Sequence, residues 1–163
     1  MLIHQVVSSL HSQFALKDLG ILNYLLGVEV CWQGSSLHLS QTKYMQNLLT
    51  HASLANCKPI TTPMTNSHTL SVSYGSLLGD PSQYRSIVRA LQYCTITRPD
   101  ISFSVNKLCQ FLQSPTNFHW QVVKRLLRYL KGATSFGLSF HSSFDLQLTI
   151  YADVDWVGCP DDR

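Results

Sequence analysis

The sequence predicts a mixed α/β (α+β) chain, with a small sheet near the start, a helical middle and a β-rich tail. Three observations lead there. Apolar residues recur at helical spacing in several windows, most clearly between residues 84 and 130. Short apolar, partly β-branched runs flanked by turn residues occur before residue 40 and after residue 137. Apolar residues make up 45% of the chain and charged residues only 13%, which suits a packed chain and argues against disorder. At 163 residues there is room for one domain with a real core, or for two small incomplete ones.

Ile3, Val6, Val7, Leu10 and Phe14 recur in steps of three and four, so residues 2–16 read as an amphipathic helix, and Gly20 ends that region. Tyr24–Val30 (YLLGVEV) reads as one strand, Gln33-Gly34-Ser35 as a turn, and Leu37–Leu39 as the returning strand. Ser40 is placed to cap a helix over 41–52, with Tyr44, Met45, Leu48, Leu49 and Ala52 on its buried side. Residues 53–79 hold Pro59, Pro63, Gly75, Gly79 and many Ser and Thr, and read as a loop and internal boundary.

Asp80-Pro81-Ser82-Gln83 then offers an N-cap, a proline at the first helical position and a capping-box glutamine. The helix it opens carries Tyr84, Ile87, Val88, Leu91 and Cys94 on one face. Arg98-Pro99-Asp100 breaks it, and Asp100 can cap a second helix bearing Ile101, Val105, Leu108 and Leu112. Ser114-Pro115 breaks that one in turn. A third helix, about 117–131, buries Trp120, Val123, Leu127 and Leu130 and stops at Gly132. Residues 137–141 and 146–152 read as a hairpin that delivers Asp153 at a strand end. The organisation expected is therefore 1–56, a linker over 57–79, a helical unit over 80–132 and a last segment over 133–163.

The net charge of +3 hides an uneven distribution. Residues 1–80 balance to zero, residues 81–131 carry +7, and residues 132–163 carry −4. A basic middle followed by an acidic tail points to a polyanionic partner for the middle. The five cysteines are scattered and include no C-x-x-C, so neither a disulfide framework nor a zinc site follows. Reduced cysteine of the cytosol or nucleus is the default. No apolar run approaches the ~20 residues that span a bilayer. Met1 to Phe14 lacks the basic start of a secretory signal and the arginines of a mitochondrial presequence.

Two constellations carry chemistry. Lys124, Arg125, Arg128 and Lys131 share the third helix with no acid among them, and Arg85 opens the helical unit. Residues 124, 128 and 131 fall on one face. The bland reading is a solvated face whose cations suit a helix C-terminus. The functional reading, favoured by the +7 over three helices, is a phosphate-tracking surface. The second constellation is Asp153 with Asp155, in Tyr-Ala-Asp-Val-Asp-Trp after an apolar run. Carboxylates at a strand end can hold Mg²⁺, but phosphodiester hydrolysis needs a cluster of them, and here only the opening of such a cluster is present. No phosphate-binding glycine loop, nucleophile elbow or zinc-protease motif occurs.

The order of several strings is more specific than any one of them. Phe14–Gly20 (FALKDLG) leads into Tyr24–Val30 (YLLGVEV), Leu39–Tyr44 (LSQTKY), Cys57–Pro59 (CKP) and Thr62–Met64 (TPM). Then come Tyr84–Val88 (YRSIV), Ala90–Tyr93 (ALQY), Thr97–Ser102 (TRPDIS), His119-Trp120, Lys124–Gly132 (KRLLRYLKG) and Tyr151–Trp156 (YADVDW). Together they resemble the reverse transcriptase of copia-type LTR retrotransposons, over essentially the whole chain.

That resemblance implies a place in a polyprotein with protease, integrase, reverse transcriptase and RNase H. Residues 1–56 would be the end of the palm, with the 24–40 hairpin near the primer end. Residues 80–132 would be thumb-like helices holding an RNA–DNA or DNA duplex, and 133–163 the incomplete start of an RNase H-like domain with Asp153 as its first metal-binding carboxylate. The intact family enzyme uses Mg²⁺. The family's Tyr-x-Asp-Asp motif would lie before Met1 and is absent from these 163 residues, and further RNase H carboxylates would lie beyond Arg163.

The expectation is thus a truncated piece without activity or cofactor of its own. The alternatives are a non-catalytic nucleic-acid-binding module using residues 81–131, and a segment active only when joined to its flanks. Open strand edges would make the isolated chain poorly soluble. Two departures stand out. Arg89 replaces a glycine of the family pattern and must reach solvent or be buried at a cost. Val154 and Val157 stand where small residues are usual.

Overall fold

The computed structural model describes residues 2–17, 20–65, 70–142 and 149–151. These residues form a mixture of helices and antiparallel sheet, consistent with the α+β class expected, but with one sheet in place of two separate β regions. Helix α1 (Leu2–Gln13) forms as its spacing predicts, yet its apolar side is open: Ile3, Val6, Leu10 and Phe14 are all exposed. Among the described residues no helix is long and apolar enough to cross a membrane.

The strand expected over Tyr24–Val30 is in fact two. Strand β1 (Tyr24–Leu25) turns at Leu26-Gly27 into β2 (Val28–Gln33), with Leu25 opposite Val28. Both turn residues have positive φ, 50° at Leu26 and 89° at Gly27, the geometry of a two-residue type I′ hairpin. The sequence carries glycine only at the second position, so the apolar run hides the turn. Leu26 stands 79% exposed in a backbone region that disfavours a leucine. Leu26→Asn is expected to raise the stability of the chain by about 1 kcal/mol, read as a higher urea midpoint at constant m-value.

Gly34, at φ 60°, closes the next hairpin into β3 (Ser36–Ser40), and β4 (Gly137–His141) adds to its far edge. Pairing register places Leu25, Val28, Val30, Trp32, Leu37, Leu39, Leu138 and Phe140 on one apolar face. The other face is polar. There Ser36 Oγ and His141 Nδ1 share a hydrogen bond of 2.8 Å, and His38 Nδ1 and Ser139 Oγ one of 2.9 Å. The partner expected for 137–141 was 146–152. The observed partner is β3, because Leu138 and Phe140 match its apolar positions Leu39 and Leu37. Residues 146–148 and 152 lie outside the described residues, and Thr149–Tyr151 form no strand.

Helix α2 (Thr42–His51) buries Met45, Leu48 and Leu49. Its cap is not Ser40. Glu29 of β2 accepts the Lys43 N–H at 2.8 Å, while Ser40 Oγ donates to the same carboxylate at 3.3 Å. A cross-sheet carboxylate therefore serves the N-terminal amides, where negative charge is favoured. Helix α3 (Ser82–Cys94) starts with part of the expected cap: Asp80 Oδ1 accepts the Ser82 N–H at 2.9 Å and Pro81 has helical φ and ψ, but Gln83 completes no capping box. Those hydrogen bonds from Ser82 hold the Asp80 carboxyl below its ordinary pKa.

A 3₁₀ turn (Pro99–Ile101) leads into α4 (Ser102–Cys109), and Asp100 does not cap it. Its carboxylate is drawn to Arg98 instead. Helix α5 (Asn117–Gly132) opens on a reciprocal cap: Thr116 Oγ1 accepts the His119 N–H, and His119 Nδ1 accepts the Thr116 N–H at 3.0 Å. That cap buries His119, stacked on Phe111 with centroids 3.9 Å apart, and leaves Trp120 only partly buried. Gly132 lies within the helix rather than past its end. A Cβ there would come 3.1 Å from Pro59 Cβ, so the glycine permits close approach of the loop.

Tyr84, Ile87, Val88, Leu91, Ile101, Val105, Leu108, Val123, Leu126 and Leu127 form one core with Met45, Leu48 and Leu49 of α2. Each large aliphatic side chain so buried contributes roughly 1.5–3 kcal/mol. The buried Tyr84 hydroxyl is satisfied by the Leu108 carbonyl at 2.8 Å. Arg89 is exposed, so it imposes no buried charge.

Candidate nucleic-acid interface

Helix α5 owes its position to an apolar stripe of Val123, Leu126, Leu127 and Leu130, which leaves the opposite side outward. That side carries Lys124, Arg125, Arg128 and Lys131, and the helix has no acid. Lys124 is exposed, its ammonium 5.6 Å above the Trp120 ring. Arg125 and Arg128 are partly buried and braced: Arg125 Nη2 donates to Thr62 Oγ1 at 2.7 Å, and Arg128 Nε donates to the Lys58 carbonyl at 2.9 Å. Lys131 is half-buried near the helix end. Braced guanidiniums lose little freedom on meeting a phosphate.

The braces also involve a residue that the sequence reading did not single out. Lys58 is exposed on the loop segment whose main chain Arg128 holds. Its place in a proline-flanked loop gives no periodic signal. Arg85 is placed differently. Its Nε donates to the Leu112 carbonyl at 2.8 Å and its Nη2 to that of Gln113 at 3.1 Å, which ties α3 to the turns that follow α4. Asp153 and Asp155 lie outside the described residues. Among the described residues no three His, Cys, Asp or Glu side chains gather to hold a metal ion.

Behind this face sits a second feature that helical periodicity could not reveal. Arg98 is 1% exposed. Its Nε and Nη2 donate to the two Asp100 oxygens at 2.9 and 2.8 Å, and Nη1 donates to the Ala133 carbonyl. The rings of Tyr129 and Phe136 lie 5.6 and 5.5 Å from the guanidinium carbon. Tyr129 also donates its hydroxyl to Asp100 Oδ2 at 2.7 Å. One charge therefore joins the turn before α4, the C-terminal end of α5 and the approach to β4. Partial burial pushes the Asp100 carboxyl up, but the hydrogen bonds from Arg98 and Tyr129 outweigh it and hold the pKa below the ordinary value. The Tyr129 hydroxyl moves up, chiefly through its bond to Asp100.

The β1–β2 turn is anchored to the helices as well. Tyr93 donates its hydroxyl to the Leu26 carbonyl, and Tyr44 packs edge-on against Tyr93 at 5.1 Å. The turn is thereby fixed while its Leu26 side chain points out.

Residues 1–66 match the family model described as reverse transcriptase (RNA-dependent DNA polymerase). The chain is 44% identical, over 99% of its length, to the retrovirus-related Pol polyprotein from transposon RE1 of Arabidopsis thaliana, and 40% identical to that from transposon RE2 of the same plant. It spans about 11% of each of those polyproteins. It is 43% identical to an uncharacterized mitochondrial protein of Arabidopsis thaliana, covering 99% of this chain and 67% of that protein. No solved structure matches the chain. With whole-length identity to transposon Pol polyproteins and a reverse transcriptase match over the hairpin and α2, the chain belongs to the copia-type retrotransposon Pol family.

Proposed function

We propose that α3, α4 and α5 are the thumb-like part of a retrotransposon reverse transcriptase, and that the outward side of α5 holds the phosphates of a template–primer duplex. The observation that carries this is the four-cation, acid-free face of α5, two of whose guanidiniums are pre-set by hydrogen bonds to the 58–62 loop. In this reading the anchored Leu26–Gly27 turn is the primer-side element, and its strained, exposed leucine is retained for contact. Residues 133–163 would lead into an RNase H-like domain, with Asp153 as a first carboxylate for Mg²⁺. The described residues offer no cluster for that ion. The partners are an RNA–DNA or DNA duplex and the remainder of the polyprotein. Nucleotide transfer needs carboxylates of the Tyr-x-Asp-Asp kind, which these 163 residues do not contain, so to that step this stretch contributes grip.

The test is anisotropy of a labelled RNA–DNA hybrid at fixed salt. Lys124→Gln combined with Lys131→Gln removes two cations that hold no hydrogen-bond acceptor among the described residues, so the described fold is spared. The expected result is about a tenfold or greater loss of affinity. Unchanged affinity would remove the assignment.

A further inference from the structure

A second site lies one turn before the cations on α5. A cavity of about 300 Å³ is lined by Tyr74, Gly75, Asn117, Phe118 and Gln121. That size is at the small end for ligand sites and suits one planar ring. Two of its walls are aromatic: the Tyr74 and Phe118 rings sit 6.2 Å apart at 59°, and Tyr74 is 55% exposed. The other walls include two amide side chains, which can donate to and accept from the edge of a heterocycle.

The site is built rather than incidental. Asn117 Oδ1 accepts the Ser76 N–H at 3.2 Å, and the Asn117 N–H donates to the Ser76 carbonyl at 2.9 Å. Leu77 bridges to Thr116, and the Leu78 N–H donates to Pro115. Gly75 makes this possible. Its φ is +84°, and a Cβ there would fall 2.2 Å from Asn117 Oδ1. The loop that carries Tyr74 is therefore locked to the start of α5.

We infer that this cavity takes an unpaired nucleobase from a single-stranded extension of the duplex held by α5. The inference rests on the proposed duplex-binding role. Asn117, Gln121, Lys124 and Arg128 follow one another at i, i+4, i+7 and i+11, hence on one side of the helix. From Phe118 to Lys131 the helix rises roughly 20 Å. A strand whose backbone follows the cations brings its next base to the aromatic pair, where stacking needs no particular sequence.

The test compares two labelled RNA–DNA hybrids, one blunt and one with a four-nucleotide single-stranded extension carrying 2-aminopurine. The full chain should bind the extended hybrid about tenfold more tightly and quench the 2-aminopurine. Tyr74→Leu and Phe118→Leu, which keep apolar bulk, should erase that preference and the quenching while blunt binding stays the same. Tyr74→Phe should retain both. The Lys124→Gln, Lys131→Gln chain should weaken both hybrids equally. Equal binding of blunt and extended hybrids by the unaltered chain, or a preference that survives both leucine variants, overturns the inference and leaves the duplex role standing. Failure to bind either hybrid contradicts the duplex role and the inference with it.

Discussion

Asp100→Ala is expected to destabilise the chain by about 3 kcal/mol, because it strands a guanidinium that has almost no access to water. The Arg98 side chain is 2% exposed and that of Asp100 40%, so the cost falls toward the lower end of the range for a broken buried pair. Arg98→Met should cost less, since it removes the charge together with its need for a partner. The order of the two variants is the informative part. Two-state urea unfolding measures both, and an Asp100→Ala chain as stable as the unaltered one would show that Arg98 escapes to solvent.

The same pair sets an acid dependence. The Asp100 carboxyl titrates below its ordinary value in the folded chain. Its contribution is therefore complete above the unfolded value of about 3.9, and is lost as pH falls through the lower folded value. Asp80, also lowered, acts in the same direction. Asp100→Ala should flatten the acid limb of the stability curve, and an acid limb unaltered by the substitution would assign it elsewhere.

Gly137→Ala should cost about as much, for a different reason. A Cβ at Gly137 would lie 2.0 Å from the Leu39 carbonyl oxygen and 3.0 Å from its carbon. Both obstacles are main chain of the neighbouring strand, so no rotamer change relieves them, and the loss should reach the top of the overpacking range, about 3 kcal/mol. The effect should be local. Amides shared by β3 and β4 should exchange fast with solvent while those of α3 and α5 stay protected. Gly79→Ala, where a Cβ meets nothing within 4 Å, is the control and should change stability little. Protected β3–β4 amides in the Gly137→Ala chain would mean that the sheet edge can shift to make room.

The helical middle was legible because its stripes are strong and its breaks are prolines. Tyr84, Ile87, Val88, Leu91 and Cys94 are all buried as their spacing requires. The hairpin tip was not, since Leu26 takes a conformation that the residue type disfavours and the run YLLGVEV shows no turn dipeptide. Asp100 was read as a cap because it stands before a helix. Its real partner, Arg98, is two residues back, where nothing in the pattern marks a buried arginine. The pairing of β4 with β3 joins residues about a hundred positions apart, beyond the reach of local pattern. At the candidate interface the α5 cations were legible from spacing alone. What the sequence could not show is that Arg125 and Arg128 are tied to the 58–62 loop. Asp153 remains a reading of the sequence, outside the described residues.

The most direct test of the duplex-holding role is the salt dependence of RNA–DNA hybrid binding by the whole chain. About four phosphate contacts from Lys124, Arg125, Arg128 and Lys131 predict a slope of log affinity against log salt of about −3 to −4, falling toward zero when all four are neutralised. A slope near zero for the unaltered chain, or one that the neutralised chain keeps, would contradict the account.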